Sequence, residues 1–244
     1  MGKLSMAYNK FAAVYDKLMD KSMYQQWFDY VNLIGKPNDT ILELACGTGD
    51  LAVLLCKTYN VYASDLSEDM LALASQKVAS IPLFQMDMCQ IDVDRTFRII
   101  TCFADSLCYL KDEKSVKRAF QEAYRVLEVG GYYLFDVHST WQMEEGYRDY
   151  VYQYCDEDTV FLWQSFPGEF PYSVEHDITC CQKIYDNEWY ERFDEFHKER
   201  TYPLDSYIAW LKEAGFHTIH VTANFGQSNI TETTPRWFFC CEKK

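Results

Sequence analysis

Two glycines and one acid between residues 43 and 49 have the types and spacing expected of a binding site. Gly47 and Gly49 follow the apolar run Thr40–Leu44, and a helical pattern begins directly after them. Glycine has no side chain and a helix N-terminus carries free N–H groups, so a ligand can lie against the backbone here. Glu43 lies inside the apolar run, where we expect its carboxylate to be buried. The ligand must therefore tolerate a negative charge beside the turn.

The spacing Gly47-x-Gly49-x-x-Ala52 matches the dinucleotide-binding fingerprint, but Glu43 separates two classes of ligand. In a dinucleotide site a pyrophosphate has to approach this turn, and the carboxylate of Glu43 would repel it. A ligand with an ammonium group and a positively charged sulfonium is attracted by the same acid. S-adenosylmethionine (SAM) carries both groups. The turn therefore predicts a SAM site and argues against an NAD-dependent oxidoreductase.

Strands and helices alternate around this turn, which predicts βαβ units and a parallel sheet. A helical pattern over residues 8–34 precedes strand patterns at "TILELA", "VYASDL", "PLFQMD", "FRIITCFAD" and "YYLFDV". The intervening helices include one with Ser67 as N-cap and one that we expect to end at Gly130–Gly131. The fold class is therefore α/β.

The pattern changes after Val137 and divides the chain. Aromatic-rich alternating stretches up to about Tyr202 predict antiparallel strands, with "YDNEWY" as a hairpin turn. A helix over "LDSYIAWLKEAG" and strands over "HTIHVTAN" and "RWFFCCEKK" follow. We predict an N-terminal helical lid and ligand-binding core over residues 1–138, an antiparallel β insertion over 139–202, and over 203–244 a helix and two strands that complete the sheet.

The stretch "LELACGTGDLA", an acid followed by G-x-G, resembles the first motif of the class I SAM-dependent methyltransferases. The resemblance continues through "VYASDLSEDML", "FQMDM" and "FADSL", and it covers about residues 8–138 at the level of motifs. It implies a Rossmann-like, seven-stranded, mostly parallel sheet with helices on both faces. It also implies that SAM is the cofactor and S-adenosylhomocysteine the product.

The resemblance implies roles for individual residues of this chain. It implies that Glu43 acts on the amino group of SAM through water, that Asp65 accepts both ribose hydroxyls, and that Asp87 accepts from the adenine amino group. Met70 and Met88 would pack on adenine, and Ala104, Asp105 and Ser106 would lie beside the methionine moiety. The predicted cofactor-binding residues are Glu43, Ala45, Cys46, Gly47, Thr48, Gly49, Asp65, Leu66, Met70, Asp87, Met88, Ala104, Asp105, Ser106, Tyr15 and Trp27.

The methyl acceptor is predicted to be a small molecule, methylated at N or O. The insertion and the stretch "FHKERTYPLDSYIAWLKEAGF" resemble those of sugar N,N-dimethyltransferases, in which such insertions roof the acceptor site and sometimes form dimer contacts. His138, after the fifth strand, is the predicted general base if the acceptor must lose a proton. His197 either pairs with Arg200 or faces the pocket. The alternatives are an RNA-modifying methyltransferase that works with a partner, and a non-catalytic SAM-binding module.

Composition limits the binding partners and the cellular location that we expect for this chain. The chain has 37 acids against 23 bases, a net charge of -14 that repels phosphate backbones, so we do not expect nucleic acid as a partner. No apolar run is long enough to cross a membrane, and the N-terminus has no signal-peptide pattern, which together predict a cytoplasmic protein. The 10 cysteines contain no C-x-x-C pair, which predicts reduced thiols and no metal site. A homodimer formed through the β insertion is also expected.

Overall fold

The structure is a computed structural model that describes residues 21–78, 80–184 and 189–244. A first sheet contains seven strands in the spatial order β10-β11-β5-β4-β1-β2-β3. These strands are β1 (Thr40–Leu44), β2 (Asn60–Asp65), β3 (Leu83–Gln85), β4 (Phe97–Cys102), β5 (Leu127–His138), β10 (Thr218–Thr222) and β11 (Arg236–Glu242). The described helices are α1 (Lys21–Asn32), α2 (Asp50–Leu55), α3 (Glu68–Lys77), α4 (Glu113–Val126) and α5 (Leu204–Ala214), with a 3₁₀ turn at Ser106–Tyr109 and a π-helical turn at Gln142–Gly146.

The first sheet is mostly parallel, as the sequence predicted. Strands β1 to β5 pair in parallel, whereas β11 pairs antiparallel with β5 and β10 pairs antiparallel with β11. The apolar runs in β1 and β4 are buried almost throughout, because helices cover both faces of the sheet. The carboxyl ends of β1, β2 and β4 consequently meet at one edge of the sheet, where ligands bind in open α/β folds.

The predicted end of the fourth helix was wrong. Helix α4 ends at Val126, and Gly130–Gly131 lies inside β5. Leu127 already pairs with Phe97 of β4, and the Gly130 N–H donates to the Lys243 carbonyl at 2.6 Å. A Cβ at residue 131 would lie 2.8 Å from the Arg98 carbonyl oxygen, so glycine serves close strand packing here and does not stop a helix.

The predicted antiparallel insertion forms a second sheet with the order β6-β7-β8-β9. Its strands are β6 (Val151–Cys155), β7 (Thr159–Pro167), β8 (Ser173–Lys183) and β9 (Tyr190–Arg200). The turn that we predicted at "YDNEWY" includes residues 185–188, which lie outside the described residues. Alternate side chains of these strands are buried, among them Phe161, Val174, Ile178, Cys180 and Phe193. Strand β9 lies at one edge of this sheet, and its His197 ring contacts Tyr109 of the 3₁₀ turn that follows β4.

The main core lies between helices α4 and α5 and the centre of the first sheet. Phe135 and Phe239 stack across β5 and β11 with their ring centroids 4.4 Å apart, and Phe120 of α4 packs on Phe135 at 5.4 Å. The sheet that carries the site is thus held by a continuous apolar layer on this face.

Among the described residues, no helix has the length and apolar character needed to span a membrane.

Candidate active site

A cavity of about 640 Å³ opens at the carboxyl ends of β1, β2 and β4. Most of the predicted cofactor residues line it: Trp27, Glu43, Ala45, Cys46, Gly47, Thr48, Asp65, Leu66, Met70, Asp87, Met88, Ala104 and Ser106. The lining also includes Tyr109, which lies in the same 3₁₀ turn as Ser106, and four residues of β9: Glu195, Phe196, His197 and Lys198. The second sheet and the glycine turn therefore line the same cavity.

The glycine turn is fixed by Asp65. Gly47 and Gly49 adopt positive φ values of 53° and 82°, which favour glycine. The Gly47 N–H donates to one Asp65 carboxylate oxygen at 2.8 Å, and the Ser67 N–H donates to the other at 2.9 Å. A Cβ at Gly47 would meet nothing within 4 Å, so this face of the turn is open. Asp65 therefore holds the turn and keeps further lone pairs for a ligand.

Helix α3 starts as the sequence predicted. The Ser67 side chain accepts from the Met70 N–H at 3.2 Å, and Glu68 and Asp69 occupy the first turn. This cap places Met70 in the cavity wall, where Met86 and Met88 also lie. The Asp87 side chain accepts from the Cys89 N–H at 2.8 Å. Three thioethers and one carboxylate thus lie together on the side of the cavity where adenine is expected.

Glu43 is buried, as expected, and lines the cavity. Glu43 is 4% exposed, and its Oε2 has no hydrogen-bond partner among the described residues. Burial, and then the nearby Asp65 and Asp50 carboxylates, raise the pKa of Glu43 to about 8. The acid is therefore largely protonated at neutral pH in the ligand-free protein, and a bound cation would favour its ionisation.

Trp27 and Cys46 line the cavity, and neither is expected to act as a nucleophile. The Trp27 indole N–H donates to Asp136 Oδ2 at 2.7 Å, and its ring stacks on Phe103 at 6.1 Å. Burial raises the pKa of the Cys46 thiol, with further contributions from Glu43 and Asp65, so its thiolate is disfavoured. Tyr15, the other aromatic residue predicted to bind the cofactor, lies outside the described residues.

Three predicted site residues do not line the cavity: Gly49, Asp105 and His138. Gly49 packs on helix α3, where an added Cβ would lie 3.1 Å from the Ala74 Cβ. Asp105 and His138 lie behind the wall, because the chain turns at Ala104 and Asp105 with positive φ and directs Asp105 toward Arg236. The expectation that Asp105 contacts the methionine moiety is therefore not supported by its position.

Asp105, His138 and Glu199 form a buried group that we call the carboxylate–histidine cluster. His138 Nε2 lies 3.3 Å from Asp105 Oδ2, 3.6 Å from Glu199 Oε2 and 2.9 Å from the Tyr147 hydroxyl. Burial alone would raise the pKa of Asp105, but Arg236 and then His138 lower it to about 2. Asp105 is consequently ionised throughout the physiological range.

Sequence reasoning missed Tyr109 and Glu195 in the cavity wall, and Tyr147, Glu199 and Arg236 around His138. The alternation in β9 could have shown that Glu195, His197 and Glu199 share one face of the strand. It could not have shown that this strand lies against the 3₁₀ turn, where the His197 and Tyr109 rings meet at 5.8 Å. Arg236 begins β11, and only its antiparallel pairing with His138 of β5 brings it to the site.

Comparison with known proteins agrees with this geometry. A family model described as "Methyltransferase domain" matches residues 41–131. "Putative methyltransferase YqeM" of Bacillus subtilis (strain 168) is 40% identical over 98% of this chain and 98% of its own length. A similar protein of Geobacillus sp. (strain WCH70), also named as a methyltransferase, is 39% identical over 98% of this chain and all of its own length. This chain belongs to the SAM-dependent methyltransferases.

Solved methyltransferase structures superpose on nearly the whole of this chain. The crystal structure of an S-adenosylmethionine-dependent methyltransferase from Clostridium acetobutylicum superposes with a TM-score of 0.85 at 29% identity, over 97% of this chain and 98% of that one. The sugar N-methyltransferase KedS8 from Streptoalloteichus has the same fold, with a TM-score of 0.77 at 20% identity over 96% and 93% of the chains. The methyltransferase thus has the predicted Rossmann-like fold, and SAM is its cofactor.

Proposed function

We propose that this methyltransferase transfers the methyl group of SAM to N or O of a small molecule held between the glycine turn and strand β9. The observation that carries the proposal is the continuity of one cavity from Gly47 and Asp65 to Tyr109 and His197. Its volume of about 640 Å³ falls within the range of small-molecule sites. The net charge of -14 disfavours an RNA acceptor, and the likeness to KedS8 concerns the fold alone.

The proposal includes the roles that we predicted for the residues that bind SAM. We propose that the ribose lies on Asp65, adenine lies among Met70, Met86 and Met88, and the amino-acid end lies on the Gly47 turn above Glu43. This orientation directs the sulfonium toward Ala104 and Ser106, and leaves the space near β9 for the acceptor. SAM would supply an electrophilic methyl group there, and the acceptor lone pair would bond to the methyl carbon while the methyl–sulfur bond breaks and leaves its electrons on sulfur.

We propose His197, in place of His138, as the group that accepts the acceptor proton. His197 lines the cavity, whereas His138 is buried behind its wall and bonded to Tyr147. Burial lowers the pKa of His197, so its imidazole is neutral near pH 7 and can accept a proton. Alignment of the acceptor with the methyl group supplies much of the remaining rate enhancement.

Replacing His197 with glutamine is expected to lower kcat by about 10²- to 10⁴-fold for an acceptor that must lose a proton. The acidic limb of the wild-type pH–rate profile should disappear in the variant, because that limb reports protonation of the imidazole. His220→Gln serves as the control, because His220 is exposed on β10 and lies outside the cavity lining, and it should behave as wild type. An unchanged profile in His197→Gln would assign proton removal to another group or to water.

Methyl-labelled SAM incubated with a fractionated cell extract tests the acceptor class directly. We expect label in the fraction of small molecules, and mass spectrometry of that fraction would identify the acceptor and the methylated atom. Label found only in RNA would overturn the small-molecule proposal and favour the RNA-modifying alternative. The control is the same extract with the Asp65→Ala variant, which should transfer no label above background.

A further inference from the structure

The carboxylate–histidine cluster joins three separate parts of the fold. Asp105 follows β4, His138 ends β5, and Glu199 lies on β9 of the second sheet. Glu199 and His138 are 4% and 6% exposed, and the Asp105 side chain is 15% exposed. Their ligand atoms all lie within 4.8 Å of one another. A buried set of this kind is held only if something compensates its charge and its hydrogen-bonding groups.

The hydrogen bonds within the cluster do not satisfy all of its polar atoms. Three oxygen atoms, from Tyr147, Asp105 and Glu199, converge on His138 Nε2 at 2.9, 3.3 and 3.6 Å. This nitrogen carries at most one hydrogen, so it cannot donate to both carboxylates, whether the Tyr147 hydroxyl donates to it or accepts from it. Glu199 Oε2 and His138 Nδ1 have no hydrogen-bond partner within the described part of the chain. The orphaned carboxylate oxygen of Glu199 points at the centre of the cluster.

The charges around the cluster are also unbalanced. Arg236 contacts Asp105 through Oδ1 and Asp136 at 3.2 Å, so one cation faces three carboxyl groups once Glu199 is included. Arg236 uses the far side of Asp105 and leaves Oδ2 facing His138. A divalent cation at the centre would add positive charge to this carboxyl-rich region without displacing Arg236 from Asp105 Oδ1.

We propose that Asp105, His138 and Glu199 bind a divalent cation such as Mn²⁺ or Fe²⁺. Two carboxylates and an imidazole are ligands that suit these ions. Bonds of about 2.1 Å place neighbouring ligand atoms about 3.0–3.5 Å apart, close to the separations of 3.3 and 3.6 Å observed here. His138 Nε2 then exchanges its bond with the Tyr147 hydroxyl for one to the cation.

A second histidine contacts the other carboxylate oxygen of Glu199. His176 Nε2 is 3.5 Å from Glu199 Oε1 and has no hydrogen-bond partner among the described residues. Its Nδ1 is bonded to the Ser165 hydroxyl at 2.8 Å, which fixes the ring and leaves Nε2 directed at Glu199. Glu199 therefore lies between two histidines, with Oε2 toward His138 and Oε1 toward His176.

The cation would act in positioning and not in the methyl transfer itself. It would tie β9 to the ends of β4 and β5, and so hold the wall that carries His197 against the one that carries Ala104 and Ser106. None of its three proposed ligands lines the cavity. Binding should therefore be visible as added stability whether or not an acceptor is known.

Manganese is the suitable probe, because the 10 cysteines of the chain would compete for zinc or copper. Protein treated with EDTA and titrated with MnCl₂, with free Mn²⁺ followed by electron paramagnetic resonance, is expected to bind one ion per chain and to show a higher Tm. Glu199→Gln should weaken binding by at least about a hundredfold, whereas Glu195→Gln, on the same face of β9, should not.

A wild-type protein that shows no saturable Mn²⁺ binding would overturn the proposal whatever the variants do. Binding that survives unchanged in both Glu199→Gln and His138→Gln would overturn it as well, because the ion would then lie elsewhere. Crystals soaked in MnCl₂ should show an anomalous difference peak between Asp105, His138 and Glu199. The use of His138→Gln as a second variant keeps the test valid if Glu199→Gln does not fold.

Discussion

Asp65→Ala is expected to raise the Kd for SAM by at least about a hundredfold. The wild-type carboxylate would accept two ribose hydroxyls, and each hydrogen bond to a charged group contributes about 1.5–3 kcal/mol. The same carboxylate accepts the Gly47 N–H at 2.8 Å, so its loss also loosens the turn on which the cofactor lies. Isothermal titration calorimetry at pH 7.5 with SAM and with S-adenosylhomocysteine measures the effect.

Glu68→Ala is the matched control for this variant, since Glu68 is an exposed acid three residues along the chain and outside the cavity. It should bind SAM as tightly as wild type does. Far-UV circular dichroism should be unchanged in both variants, because the strands beside Asp65 remain paired. Equal affinities of Asp65→Ala and wild type would refute the ribose assignment.

Glu43→Gln is expected to remove most of the pH dependence of SAM binding between pH 6 and 7. The pKa of Glu43 in the ligand-free protein is about 8, so the wild-type carboxyl must release a proton when a cationic ligand favours its ionised form. Wild-type affinity should therefore rise by up to about tenfold per pH unit in this range. The amide cannot ionise, and the variant should show a nearly flat profile.

Calorimetry in buffers of different ionisation enthalpy counts the released protons. We expect close to one proton per SAM bound by the wild type at pH 7, and about one fewer in Glu43→Gln. Glu68→Gln again provides the control and should match wild type. Parallel pH profiles for wild type and Glu43→Gln would show that Glu43 keeps its protonation state on binding and that its charge does not select the cofactor.

The raised pKa of Glu43 also affects the stability of the ligand-free protein, which should fall with rising pH, whereas the affinity for SAM should rise. Folding raises the pKa of Glu43 from 4.5 to about 8, so the folded state binds the proton more tightly than the unfolded state does. Its contribution to stability is fully present below about pH 4.5 and is lost as the pH rises through 8. Glu43→Gln mimics the protonated carboxyl, so its Tm should fall less than the wild-type Tm between pH 7 and 9.

Much of the cofactor side of the site could be predicted because its chemistry lies in short stretches of sequence. Gly47, Asp65 and Asp87 each follow a strand pattern, and parallel strands bring their carboxyl ends together at one edge. The N-cap at Ser67 was confirmed for the same reason, since a cap depends on residues within one turn. The roles of these residues toward SAM stay predictions until a complex is measured.

The acceptor side could not be predicted in the same way, because it depends on contacts between distant parts of the chain. His138, Glu199 and Arg236 are separated by more than 30 residues each and meet only through the pairing of β5 with β11 and the placement of β9. The error at Gly130–Gly131 has the same origin, since Leu127 pairs with Phe97 of β4 and the Gly130 N–H donates to the carbonyl of Lys243. The homodimer and the cytoplasmic location also remain predictions.

A crystal structure of the complex with S-adenosylhomocysteine tests the central claim most directly. The account predicts the ribose hydroxyls on the Asp65 carboxylate, the amino-acid end at the Gly47 turn near Glu43, and the sulfur facing the space bounded by Tyr109 and His197. A sulfur atom directed away from β9, or a ribose that does not contact Asp65, would contradict it.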